Sequence, residues 1–182
     1  ENAVLTCRVI DRPMRPLFPK DYRNDVTLEN LVLSVEQDCS PELTAMLGSA
    51  IATAISDIPF DGPTASTQVG LVDGELVFNP TAEQKEKSDL ALTVASTREK
   101  VIMIEAGANE VPEAKMIEAI FAAHEVNQKV IAFIDQIVAE CGKPKHDYVS
   151  FAVPEELFEA IQKIVTPEEM EVAVFTDDKQ TR

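Results

Sequence analysis

A chain of 182 residues, 45% apolar and 26% charged, has the make-up of a globular protein with a sizeable core and not that of a disordered one. Its longest uncharged apolar run falls far short of the roughly 20 residues a membrane-spanning helix needs, and no basic-then-apolar leader opens it. Acidic side chains outnumber basic ones by 32 to 16, a net charge of −16, and as an average this argues against nucleic-acid binding, because phosphate contacts need Lys and Arg. The charge is uneven, however. Residues 1–25 hold Arg8, Arg12, Arg15, Lys20 and Arg23 against four acidic side chains. Binding answers to local charge, so RNA stays open as a partner. Three cysteines without paired spacing, and no Asn-x-Ser/Thr acceptor, predict a reduced, cytoplasmic setting away from the membrane. A first residue of Glu1 in place of Met predicts an internal piece of a longer protein.

In chain order, residues 1–11 read as a helix that stops at Arg12-Pro13, since a residue before proline is pushed out of the α region. Pro13, Pro16 and Pro19 hold an irregular segment pinned by Leu17 and Phe18. Val26–Val35 reads as a strand of imperfect alternation. Ser40-Pro41-Glu42 starts a helix that runs to about Ile55 and is rich in small residues. Thr67–Val72 and Glu75–Phe78 flank Asp73-Gly74, a strong type I′ hairpin signal. Asn79–Ser88 is a polar, charged connector, and Leu90–Ala95 with Val101–Glu105 forms a second strand pair. From Val111 to Cys141 the period is helical, with a possible break at Asn127-Gln128-Lys129. Lys145–Val153 is a linker to two short helices, 154–165 and 167–175, which cannot build a core alone and are expected to pack on further sequence.

Several groupings carry possible chemistry. His124-Glu125 begins like a zinc-protease motif, but Gln128 stands where the second histidine belongs, so a structural, hydrogen-bonded histidine is the better reading. Cys141 and His146 are two potential ligands, which make no metal site. Glu83, Glu86 and Asp89 could hold Mg²⁺, but the interspersed Lys85 and Lys87 favour a solvated charged loop. No Walker or dinucleotide glycine spacing occurs. The arginines are the most specific local signal. Arg8 and Arg12 share a helix face, Arg15 follows in a proline-stiffened turn, and guanidinium groups bind phosphate through paired donors. The plain alternative is that they pair with Asp11, Asp21 or a neighbouring strand.

The run Arg8-Val9-Ile10-Asp11-Arg12-Pro13-Met14-Arg15-Pro16-Leu17-Phe18-Pro19 resembles the signature of the bacterial polynucleotide phosphorylase family, in the first of its two ribonuclease PH-like domains. The similarity continues through Ile58–Pro63, Asn79-Pro80-Thr81, Gly107–Met116, His124-Glu125 and Cys141–Pro144, essentially the whole chain. It implies an α/β (α+β) fold, a ribonuclease PH-like core of the ribosomal protein S5 domain 2 type, with mostly antiparallel sheets and packed helices. It also implies a division into residues 1–145, the first core domain lacking its N-terminal strands, with 89–145 as its C-terminal subdomain, and 150–182, the start of an all-helical linker domain.

The implied activity is that of a processive 3′→5′ exoribonuclease. It cleaves RNA with inorganic phosphate to nucleoside diphosphates, works as a homotrimeric ring, needs Mg²⁺ or Mn²⁺, and associates with an RNA-degrading endonuclease and a helicase in mRNA decay. The family's serine-rich phosphate pocket and acidic metal ligands lie in its second core domain. The stretch Ser40–Met46 has no serine tract, and only Asp89 matches one of the paired aspartates, Thr81-Ala82 standing near the other. The segment is therefore expected to be non-catalytic and to bind no metal itself. What it keeps is Arg8 and Arg12, which the resemblance makes contacts to RNA phosphate, with Arg15 a third candidate. The rival is a purely architectural module for oligomerisation or protein docking. Solvent-facing arginines favour the first reading, and arginines buried in ion pairs favour the second.

Overall fold

The computed structural model describes residues 2–180. Glu1, where the first helix was expected to begin, and Thr181 and Arg182, at the end of the expected helical domain, lie outside the described residues. Two compact units are present. The larger takes the chain up to Lys20 and from Asn24 to Tyr148, and the smaller takes Asp21–Arg23 and the chain from Val149 onward.

The larger unit is built on a four-stranded antiparallel sheet of order β2-β1-β3-β4, from β1 (Ala65–Val72), β2 (Glu75–Phe78), β3 (Leu90–Ser96) and β4 (Val101–Ala108). The β1–β2 hairpin turns on Asp73 and Gly74, at φ 51° and 81°. These are the two left-handed positions a type I′ turn requires, and glycine takes the second without steric cost. Alternation sorts the sheet into two faces. Val69, Leu71, Leu90, Leu92 and Val94 point to one side, where Ala119 and Ala123 of α4 (Glu113–Cys141) seal a core. Burying each of the larger side chains contributes about 1.5–3 kcal/mol. On the other side Ala95 and Met103 meet Ile10 and Met14 of α1 (Asn2–Met14) and Met46 of α2 (Pro41–Ile55). A third cluster joins α2 to α4, with Ile134 of α4 packed against the small Ala50 and Ala54 of α2.

Four local expectations change. The first helix does not stop at Arg12 but runs through Pro13 to Met14. In the last turn Pro13 forfeits one backbone bond, and the burial of its own ring and of Met14, 3% exposed, offsets the loss. The 26–35 segment forms no strand. A strand needs a ladder partner, none pairs with it among the described residues, and Leu31 and Leu33 stand 83% and 93% exposed. The connector holds a helix, α3 (Ala82–Lys87), because Thr81 and Gln84 close a capping box: Thr81 Oγ1 accepts from the Gln84 N–H, and Gln84 Oε1 accepts from the Thr81 N–H at 3.0 Å. The helix from 113 is not divided at 127–129. Asn127 points into the core, accepts from Thr67 Oγ1 at 2.7 Å, and donates to the Val94 carbonyl at 3.1 Å and to Ser96 Oγ at 2.9 Å.

Helix α2 begins as read, with Ser40 as N-cap and Pro41 in the first turn. Its far end is stapled by a residue 89–92 positions away. Lys145 Nζ donates to the carbonyls of Thr53, Ala54 and Ser56 at 3.1, 3.0 and 2.7 Å, a cation placed where the helix dipole favours one. Desolvation lowers the Lys145 pKa, with Asp57 pulling it back up. Lys145→Ala is expected to lower stability by about 1–2 kcal/mol in urea denaturation; an unchanged midpoint would show that water caps those carbonyls equally well.

The smaller unit contains α5 (Glu155–Gln162) and α6 (Pro167–Phe175). Both open as read, on prolines and glutamates, and α6 carries a Thr166–Glu169 capping box. Neither buries a residue. No helix among the described residues is long and apolar enough to cross a membrane.

Candidate nucleic-acid interface

The arginines sit at the C-terminal end of α1, which is anchored from beneath by Ile10 and Met14. The i, i+4 spacing puts Arg8 and Arg12 on one exposed face. Arg8 makes no hydrogen bond or ion pair among the described residues. Arg12 Nη1 donates to Glu105 Oε2 of β4 at 2.8 Å, with the two side chains 49% and 54% exposed. An ion pair this open is worth about 0–1 kcal/mol, so an incoming phosphate can displace the carboxylate at little cost. Arg15 is held differently. Its Nε donates to Asp11 Oδ2 at 2.9 Å and its Nη2 lies 2.8 Å from Asp11 Oδ1, a two-pronged pair along one helix turn. The hydrogen bond with Asp11, and then the carboxylate's charge, raise the Arg15 pKa. Neither Arg8 nor Arg12 is buried, and neither pairs with Asp11 among the described residues. The neighbouring-strand partner anticipated for the group is Glu105, and only Arg12 takes it.

Sequence reading did not single out Glu105. The available signal was its phase in β4: it falls on the same face as Met103, the face that leads toward α1.

Other candidates resolve into structural roles. His124 is half-buried, with Gln128 Nε2 at 3.3–3.4 Å from its ring nitrogens, and Gln128 also donates to the Thr97 carbonyl. Cys141 Sγ donates to the Ile137 carbonyl, and His146 lies 4.0 Å from Asp57. Glu83 pairs with Lys87 at 2.5 Å, and Asp89 accepts from Asn109. No group of three His, Cys, Asp or Glu side chains converges on one point among the described residues. The donor set here therefore does not fit a hard divalent ion, which takes six or more oxygens.

Beside the arginines, between α1 and the sheet, lies a cleft of about 470 Å³. Leu5 and Val9 line one wall, and Gln68, Ala91, Thr93 and Glu105 lie across from them on the sheet. Gln68 Oε1 is the one buried side-chain polar atom among the described residues that has no hydrogen-bond partner. Leaving such an acceptor unsatisfied costs about 1–3 kcal/mol.

Comparison with known proteins places this geometry in a family. Residues 62–126, from the approach to β1 into the first half of α4, match the 3′ exoribonuclease family, domain 2. Over all 182 residues the chain is 81% identical to the polyribonucleotide nucleotidyltransferase of Lachnoclostridium phytofermentans, covering 100% of this chain and 26% of that protein. Over its whole length the chain matches a segment of the polyribonucleotide nucleotidyltransferases. A family member from Clostridioides difficile is 52% identical, again over 100% of this chain and 26% of its own. The segment thus spans about a quarter of the length of the curated relatives it matches. Among solved structures, rice Rrp46 superimposes with a TM-score of 0.52 over 58% of this chain and 51% of its own. At 13% identity that likeness concerns fold alone. The expected mixed fold, antiparallel sheet with packed helices, is the fold observed.

Proposed function

We propose that this segment serves a phosphorolytic 3′→5′ exoribonuclease, which degrades RNA with inorganic phosphate to nucleoside diphosphates, and that its own part is ring assembly and arginine contact with RNA. The segment is non-catalytic. No carboxylate set converges among the described residues, which supports placing the Mg²⁺ or Mn²⁺ of the full-length enzyme outside this segment, and on this reading the phosphate co-substrate is bound there too. When bound, the metal supplies stabilisation of charge on the transferring phosphoryl group. Here Arg8 and Arg12 would hold phosphates of the RNA backbone, with Arg15 contributing through the arm that Asp11 leaves free. The full protein acts in the cytoplasm in mRNA decay as a homotrimer, in company with an endonuclease and a helicase. The acidic majority of the chain forms outer surface and steers RNA toward the arginines.

The observation that carries this reading is Arg8: an arginine on an exposed helix face, without a partner among the described residues, one turn from an Arg12 held only by a half-exposed carboxylate. Salt dependence tests it. For single strands the slope of log K against log salt is about −0.7 per phosphate contact. Arg8→Ala/Arg12→Ala in the full-length protein is expected to flatten the slope for oligoadenylate by about 1.4. An unchanged slope would leave the segment purely architectural.

A further inference from the structure

The cleft beside the arginines has a composition of its own. Its α1 wall is apolar, Leu5 and Val9. Its sheet side is small and flat where Ala91 and Gly107 stand opposite each other in register. A Cβ built at Gly107 meets nothing within 4 Å, so the space above the sheet is open. Acceptors gather at the edge: the orphaned Gln68 Oε1, the Thr93 hydroxyl and the Glu105 carboxylate. Glu42 and Lys85 also line the cleft, and an apolar wall facing a row of acceptors suits a flat, π-faced group carrying N–H donors. Arg12 is tied to the slot through Glu105, which lines it, and Arg8 lies one helical turn away on the same face. At about 470 Å³ the cleft is within the usual range for small-ligand sites, roughly 300–1,000 Å³.

We infer that this cleft seats one nucleobase of the RNA whose backbone Arg8 and Arg12 hold, with Gln68 Oε1 accepting from the base's exocyclic amine or ring N–H. The inference rests on the phosphate-binding reading of those arginines, and it adds base contact to a site otherwise blind to bases. Stacking in the slot is sequence-tolerant, and the Gln68 acceptor favours bases that present a donor there. It also gives the orphaned oxygen a partner, which the protein alone does not.

The test uses the full-length protein and two fluorescent probes of equal length and charge, oligoadenylate and an oligomer of abasic ribose phosphates. Gln68→Leu keeps the side-chain volume and removes the acceptor. It is expected to weaken oligoadenylate binding about ten-fold, the worth of one hydrogen bond, to leave the abasic oligomer unchanged, and to leave the melting temperature equal or higher. Gly107→Leu, which fills the open space without touching Gln68, is expected to give the same base-selective loss and serves if Gln68→Leu folds poorly. Equal affinities in wild type and both variants, or equal loss on both probes, would overturn the inference. Arg8→Ala/Arg12→Ala separates it from the reading beneath it. That variant is expected to weaken both probes alike, and if it weakens neither while Gln68→Leu still discriminates, the phosphate reading falls and the cleft stands.

Discussion

Full-length protein carrying Arg8→Ala and Arg12→Ala is expected to release ADP from poly(A), in the presence of phosphate, at least about a hundred-fold more slowly than wild type. Each guanidinium can make charge-assisted, paired bonds to a phosphate, worth about 1.5–3 kcal/mol, and 1.4 kcal/mol is a factor of ten in rate. Two residues acting on one strand are not additive, so a hundred-fold loss is the lower end of the arithmetic. Stability should hardly move. Arg8 has no partner to lose among the described residues, and the Arg12–Glu105 pair is half exposed, worth at most about 1 kcal/mol. A lysine in place of either arginine restores the charge but not the paired donors, and is expected to recover only part of the rate. A fully active double alanine variant would remove this segment from RNA contact and leave it as scaffold.

The second large effect lies in the core. Asn127→Ala is expected to destabilise the larger unit by about 3–4 kcal/mol, read as a shift of the urea midpoint. The side chain is fully buried and joins three elements at once: Thr67 on β1, Val94 and Ser96 on β3, and its own helix α4. Removing it strands the Thr67 hydroxyl, the Ser96 hydroxyl and a carbonyl in a water-free layer, and also opens a cavity. Asn127→Leu refills the volume and keeps the stranded groups, so its residual loss isolates the hydrogen bonds from the packing. A loss below about 1 kcal/mol for the alanine variant would show that apolar contacts alone hold α4 to the sheet.

The arginines and Asn127 mark the boundary between what could be read and what could not. The starts and turns were legible because each is decided within four residues: the Ser40-Pro41 cap, the Asp73-Gly74 turn, and the proline and glutamate openings of α5 and α6. The capping box at Thr81–Gln84 is equally local, although the charged residues around it read as a connector. Arg8, Arg12 and Arg15 were legible as candidates because arginine type and helical spacing are properties of the chain itself. Which arginine is free was not legible. Glu105 reaches Arg12 across 93 positions, Thr67 reaches Asn127 across 60, and Lys145 reaches Thr53 across 92.

Contacts at such separation depend on how the sheet and helices stack, and no local pattern encodes them. Asn127, polar and flanked by Gln128 and Lys129, therefore reads as a helix break until the sheet supplies its partners. Val26–Val35 fails in the opposite sense. Its side chains have strand character, but a strand exists only where a neighbour completes the ladder. By itself the sequence determined the helix starts, the hairpin turn, the fold class and the arginine face. The tertiary structure decided which polar groups are satisfied, which arginine is left open, and where an orphaned acceptor meets a cleft, because those depend on distances between residues that the chain keeps far apart.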